Sequence, residues 1–173
     1  MKLTDILPVE QWIELEQEIH AKSGLNPTIY DTEGVSITRT STFPNSLCPE
    51  IKSIPKGQTF ICSAAHQNIA GEAEESRGPV VDACDAGLVK IVVPIYVGDT
   101  FVGAAGGCGL LPEDGEVESF LIGKTLDMDD ERVEELAQSV PTISDEKAKD
   151  VADFIKGRID SIISTYMTSQ NKA

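Results

Sequence analysis

With 173 residues, 40% of them hydrophobic, the chain is long enough to form one domain with a real core. Its 29 acidic residues outnumber 14 basic ones and give a formal net charge of -15, which argues against direct binding to nucleic acid. The longest apolar run, residues 91–97, is too short to cross a membrane, and the acidic N-terminus lacks the apolar core of a secretory signal. We therefore expect a cytoplasmic, single-domain protein over residues 1–173, with cysteines that are free thiols or metal ligands.

The first half of the chain alternates helical and extended patterns. Its apolar residues recur at helical spacing after Pro8, and Gly24 is a suitable helix stop. Four elements are predicted here. They are a helix over 8–22, a hairpin of 28–30 and 35–39, a short helix with Cys48 as its N-cap and Pro49 as its first residue, and an alanine-rich helix over 60–76. Residues 54–58 are predicted to be a turn.

The stretch 80–111 organises the rest of the chain. It contains a strand, then a hairpin in which residues 88–97 are apolar and rich in β-branched side chains. A tight turn at 98–99 leads to a return strand over 100–105. Gly106, Gly107 and Gly109 surround Cys108, and so many glycines in an extended segment indicate close approach of backbone or ligand.

The last third is predicted to be helical over 117–126, 129–139 and 144–170, with Ser144 as the cap of the final helix. Apolar residues of that helix recur in steps of three and four. This spacing is equally typical of a helix packed on its own domain and of one that pairs with a second copy in a homodimer. The order of elements predicts an α+β fold, with an antiparallel sheet flanked by helices and a long C-terminal helix.

Four cysteines carry most of the chemical information: Cys48, Cys62, Cys84 and Cys108. No Cys-x-x-Cys pair is present, so this is not a zinc ribbon or finger. Cys48 and Cys62 lie at predicted helix starts, where backbone N–H groups favour the thiolate that binds metal. Thiolates from four separate elements suit an iron–sulfur cluster or tetrahedral zinc, although small buried cysteines without a ligand are equally common.

Further residues lie near these cysteines in the predicted elements. His66 is one helical turn after Cys62, and Asp85 follows Cys84, although carboxylates near a turn are usually solvated. Tyr96 is a candidate for the wall of a pocket on the sheet. The residues expected to surround the four cysteines are thus His66, Asp85, Gly106, Gly107 and Tyr96. No P-loop, dinucleotide fingerprint or nucleophile elbow is present, so the sequence gives little support for an enzyme.

The run CDAGLVKIVVPIYVGDTFVGAAGGC resembles the core signature of the PocR sensory domain. In that family a Cys-His-Ala-Gly-Leu segment leads to an apolar strand, a Pro-Ile pair, a turn and a Gly-Gly-Gln ending. The matching residues are Cys84, Ala86, Gly87, Leu88, Pro94, Ile95, Gly106 and Gly107. SGLNPTIYDTEG resembles the family's first hairpin, and Cys48 and Cys62 resemble its first two cysteines. The resemblance covers about residues 8–111.

This resemblance implies a PAS-like fold and a role in signal sensing, with ligands such as small hydrocarbon derivatives. Two departures concern the site: Asp85 replaces the family's histidine, and Cys108 replaces its glutamine. Both put the inherited ligand in doubt, and the resulting set of four cysteines favours an iron–sulfur cluster, most simply 4Fe-4S, over zinc or no cofactor. No output domain follows, so we expect either that the signal passes through the 144–170 helix to a downstream signalling protein, or that this domain is a piece of a longer protein. The alternatives are a small redox enzyme subunit that carries a metal or cluster, and an apo domain that binds a small organic molecule.

Overall fold

The sheet is built around the predicted hairpin in a computed structural model that describes residues 1–171. Its strands are β1 (Asn26–Tyr30), β2 (Val80–Ala83), β3 (Val89–Val97), β4 (Thr100–Pro112) and β5 (Thr142–Ile143). The order β1-β4-β3-β2 is antiparallel throughout, and the two-residue β5 adds to β4 in parallel. The β-branched side chains of β3 suit this central, mostly buried position.

Helices cover both faces of the sheet. They are α1 (Leu3–Ile6), α2 (Val9–Ser23), α3 (Leu47–Ser53), α4 (Pro55–Gly57), a π-helix (Gln58–Ser63), α5 (Ala64–Ser76), α6 (Ser119–Leu126), α7 (Asp130–Ala137) and α8 (Asp145–Gln170). As predicted, α2 ends at Gly24 in a left-handed conformation, and the Ser144 hydroxyl caps α8 by accepting a hydrogen bond from the Lys147 amide. The predicted α+β class, with a long C-terminal helix, is therefore confirmed.

Alternation along β3 divides the interior into separate clusters. Ile91, Val93 and Ile95 pack with α2 and α8 on one face of the sheet, whereas Val92 packs with α5 on the other. A third cluster joins α3, the π-helix, α6 and α7, and Cys48, Cys62 and Cys84 lie at its edge. The cysteines therefore lie at the end of the sheet where this third cluster meets the α5 face.

Three local predictions are wrong. Residues 35–39 form no second strand, and only the single bridge between Tyr30 and Ser36 remains, because the Ile29 amide that a longer ladder would use donates to the Glu16 carboxylate instead. The predicted turn at 54–58 is helical and belongs to α4 and the π-helix. β4 extends to Pro112, so Cys108 lies inside a strand rather than after it.

The glycines explain why β4 continues so far. A Cβ atom at Gly106 would clash with the carbonyl of Ile91 on the neighbouring strand. Glycine therefore allows β4 to lie tightly between its two neighbours. Within the described part of the chain, no helix is both long enough and apolar enough to cross a membrane.

Candidate functional site

All four cysteines line one cavity of about 460 Å³. It lies between the α5 face of the sheet and the helices α3, α5 and the π-helix. Cys48 comes from α3, Cys62 from the π-helix, Cys84 from the turn after β2, and Cys108 from β4. All four are free thiols and partly buried. Residues that are 60 positions apart in sequence thus line the same cavity.

A π-helix carries Cys62, where the sequence predicts the first turn of an ordinary α-helix. Short π-helical segments are rare and occur frequently at functional sites. In this one, Ile61 is buried, whereas the preceding Phe60 is 62% exposed. The widened turn thus places Cys62 at the cavity wall while Phe60 faces solvent.

Asn45 fixes Cys48 relative to Cys108. Cys48 lies in the first turn of α3 rather than at its cap, and its amide donates to the Asn45 side-chain oxygen at 2.7 Å. The Asn45 amide group donates to the Gly109 carbonyl at 2.7 Å and to the Cys48 sulfur at 3.4 Å. Sequence reasoning missed this residue, although an asparagine before a short helix is a recognisable capping signal.

A tight turn surrounds the sulfur of Cys84. The Cys84 amide donates to the Leu88 carbonyl at 2.8 Å, and Gly87 has a left-handed φ of 84°. Burial raises the pKa of the Cys84 thiol, and the backbone groups of Leu88 and Ala86 that hydrogen-bond to it act in the opposite direction. Such N–H donors stabilise a thiolate once a ligand removes the proton.

Burial outweighs the helix-start effect that the sequence predicts. It raises the pKa of Cys48 to about 12, helped by the neighbouring Cys108, and that of Cys62 to about 11. These two groups are therefore protonated thiols at neutral pH in the metal-free protein. Binding of a metal has to displace the protons.

Lys90 is an unexpected member of the cavity wall. It is 5% exposed and lies opposite Cys108 in the pairing of β3 with β4. None of the ion pairs formed among residues 1–171 includes it. Burial alone would lower the pKa of Lys90, but Tyr30 and the cavity cysteines, in their deprotonated and negatively charged forms, raise it above its usual value. A lysine inside the apolar run LVKIVV is a sequence signal that could have identified it.

His66 also lines the cavity, as the helix spacing predicts. Its ring stacks on that of Tyr30, with the centroids 3.8 Å apart, and its Nδ1 atom is buried without a partner among the described residues. Burial, and then the charges of Lys90 and Lys52, lower the pKa of His66 to about 3. The ring is therefore neutral at physiological pH and can act as a donor or a metal ligand.

The other residues expected around the cysteines lie outside the cavity. Asp85 is exposed to solvent. The Tyr96 hydroxyl donates to the Glu74 carbonyl, and Arg77 covers its ring. Gly106 and Gly107 are sheet residues whose missing side chains admit Ile91 and Leu25. The glycines therefore serve the packing of the sheet rather than the approach of a ligand.

A long loop, residues 31–46, closes the cavity on the side of β1. The carboxylate of Glu16 on α2 holds it, since Thr38 donates to this group at 2.6 Å and Thr40 donates to its second oxygen. The same carboxylate accepts the Ile29 amide at 2.9 Å, and Glu16 is only 2% exposed. A loop of this length with fixed anchors is typical of a functional site.

The spacing of the side chains bears on the kind of metal. Within residues 1–171, no group of three or more His, Cys, Asp or Glu residues is close enough to hold a metal ion. A zinc–sulfur bond of about 2.3 Å would require tetrahedral sulfurs about 3.8 Å apart. Zinc binding would thus require the cysteines to move closer together.

The sequence of this chain is similar to that of a known protein family. The family model described as the sensory domain found in PocR matches residues 5–167, which is nearly the whole chain. No curated protein and no solved structure matches the sequence.

Proposed function

This chain belongs to the family of sensory domains found in PocR, and from that premise we propose that it is a sensor whose cavity holds a cofactor ligated by its four cysteines. The cofactor that we propose is an iron–sulfur cluster, most simply of the 4Fe-4S type, which would supply one-electron redox chemistry. The observation that carries this proposal is the convergence of Cys48, Cys62, Cys84 and Cys108 on one cavity.

The surroundings of the sulfurs support a thiolate-bound cofactor. Hydrogen bonds reach Cys48 from Asn45 and Cys84 from backbone groups of the turn that follows it, and donors of this kind tune cluster potentials. The four cysteines come from four different elements and line the same cavity. A reducing compartment such as the cytoplasm would keep the thiols available.

A chain of contacts connects the cavity with helix α8. Helix α2 holds the 31–46 loop through Glu16, and two residues later Glu18 forms a bidentate ion pair with Arg158 of α8, at 2.7 and 3.0 Å. A change in the cavity that moves the loop would therefore act on both helices. This continuity supports signalling through α8.

The C-terminal part of α8 is the surface that we propose for the downstream partner or a second copy. The last fully buried residue of the helix is Ile159. Beyond it, Ile162, Ile163 and Tyr166 are only partly covered, and Met167 is 40% exposed. A partially covered apolar strip of this kind is typical of a helix that pairs with another helix. Light scattering on the purified protein decides whether that partner is a second copy.

Anaerobic reconstitution tests the cofactor directly. The protein is incubated with ferrous iron and sulfide, desalted and examined by visible absorption. We expect a brown protein with stoichiometric iron and sulfide, and a marked loss of both in each of the four single Cys→Ser variants. Retention of the full cluster by any one of these variants would remove that cysteine from the ligand set.

An apo sensor of a small organic molecule is the second candidate. The cavity volume of about 460 Å³ lies within the range of about 300–1,000 Å³ found for small-molecule sites. A colourless protein that takes up no iron but binds a small organic compound, with His66 and Tyr30 required for binding, would favour this function over the first.

A further inference from the structure

We infer that Lys90 is the buried counter-charge of the cofactor and raises its reduction potential. This inference deepens the proposed function and rests on it. It concerns a residue that makes no bond to the cofactor and acts on it only through its charge.

The position of Lys90 places its charge beside the cysteines. In the ladder between β3 and β4, Lys90 lies directly opposite Cys108, and directly opposed residues have Cβ atoms about 4.5–5.5 Å apart. Both residues line the cavity. The Lys90 ammonium lies 5.5 Å from the centre of the Tyr30 ring, which forms the wall on the side of β1. The long side chain is therefore directed along the cavity rather than toward solvent.

An unpaired buried ammonium is a costly feature, because a charge that leaves water normally needs an opposite charge. Lys90 is 5% exposed, and no carboxylate among the described residues forms an ion pair with it. A cofactor ligated by four thiolates carries net negative charge and would supply the missing partner.

The sign of the effect follows from electrostatics. The reduced form of such a cofactor carries one more negative charge than the oxidised form, so a nearby cation stabilises the reduced form more. Net charge around a cluster is one of the factors that set its potential. Lys52, the other lysine of the cavity wall, is only half-buried and lies over the Phe43 ring, so solvent screens its charge more strongly.

The experiment compares neutral and charged replacements of Lys90. Lys90→Met and Lys90→Gln remove the charge, Lys90→Arg keeps it, and Lys56→Met removes an exposed lysine as a matched control. Each protein is reconstituted anaerobically, and its midpoint potential is measured by titration followed by visible absorption. We expect the neutral variants to be harder to reduce, with roughly a tenfold shift in the ratio of oxidised to reduced protein at a fixed potential, which is about 59 mV for one electron. Lys90→Arg and Lys56→Met should stay close to the unmodified protein.

A second readout needs no cofactor. Because the unpaired ammonium is a cost in the metal-free fold, both neutral variants should unfold at a temperature no lower than that of the unmodified protein. A lower unfolding temperature in both would mean that the charge is already satisfied without a cofactor, and would overturn the inference. Neutral variants that hold the cluster at the midpoint potential of the unmodified protein would also overturn the inference, but they would leave the proposed function unaffected. Absence of a cluster from the unmodified protein would overturn the proposed function as well.

Discussion

Asn45 offers a sharp test of how the cysteines are held, because it joins the helix of Cys48 to the strand of Cys108. Asn45→Ala removes the bond that caps the Cys48 amide and the bond to the Gly109 carbonyl, both 2.7 Å long. Asn45 is 8% exposed, so the carbonyl is left without a partner. At about 1 kcal/mol for each bond, with a further cost for the unpaired carbonyl, the loss is roughly 2–3 kcal/mol of unfolding free energy. For a chain of this size that corresponds to roughly 5–10 °C in melting temperature.

Urea unfolding of the metal-free variant measures this loss, with Asn68→Ala on the exposed face of α5 as the control.

Asn45→Asp adds a sharper comparison. It keeps the acceptor for the Cys48 amide but places a second oxygen against the Gly109 carbonyl and the Cys48 sulfur. We therefore expect Asn45→Asp to retain less iron than Asn45→Ala. An Asn45→Ala protein as stable as the control, or an aspartate variant with full iron content, would refute this account of how the two cysteines are positioned.

Three further predictions concern the cavity wall. Cys108→Ala should reduce retention of iron more than His66→Ala, measured after identical desalting, and the opposite order would exclude our choice of ligands. His66 takes up a proton near pH 6.5 in the unfolded chain but only near pH 3 in the fold, so the free energy of unfolding should fall as the pH drops below 6.5. His66→Phe should flatten this pH dependence between pH 7 and 5. An unchanged slope in urea titrations of the variant would contradict the burial of a neutral ring. Glu16→Leu leaves the buried Ile29 amide unpaired and releases the loop, which should lower the free energy of unfolding by roughly 2–4 kcal/mol. Proteolysis within residues 31–46 should also increase, and an unaltered cleavage pattern would argue against Glu16 as the anchor of the loop.

The sheet was predictable because its signals are local. The β-branched run of β3 and the turn at Gly98 specify a hairpin within about 25 residues of chain. The caps of α2 and α8 are equally local, and Gly24 and Ser144 lie at the ends that the sequence predicts. The four cysteines could be selected from the sequence, and their order along the chain fits the family resemblance. Only the folded structure shows that they line the same cavity.

The remaining features depend on contacts between distant parts of the chain. Glu16 resembles any acidic residue of an amphipathic helix until Thr38, 22 positions later, donates to it. The bond from Asn45 to Gly109 spans 64 positions. The π-helix cannot be told from an α-helix by residue propensity, and the continuation of β4 past Ala105 depends on how closely Gly106 approaches Ile91. Tyr96 lies outside the cavity, and alternation along β3 could not indicate which end of the sheet face holds it.

Iron and acid-labile sulfide, counted per chain in protein purified without oxygen, test the central claim most directly. A 4Fe-4S cluster ligated by all four cysteines predicts about four iron atoms and about four sulfides per chain. Protein that contains neither, or that contains only zinc, would contradict the assignment of the cavity to an iron–sulfur cluster.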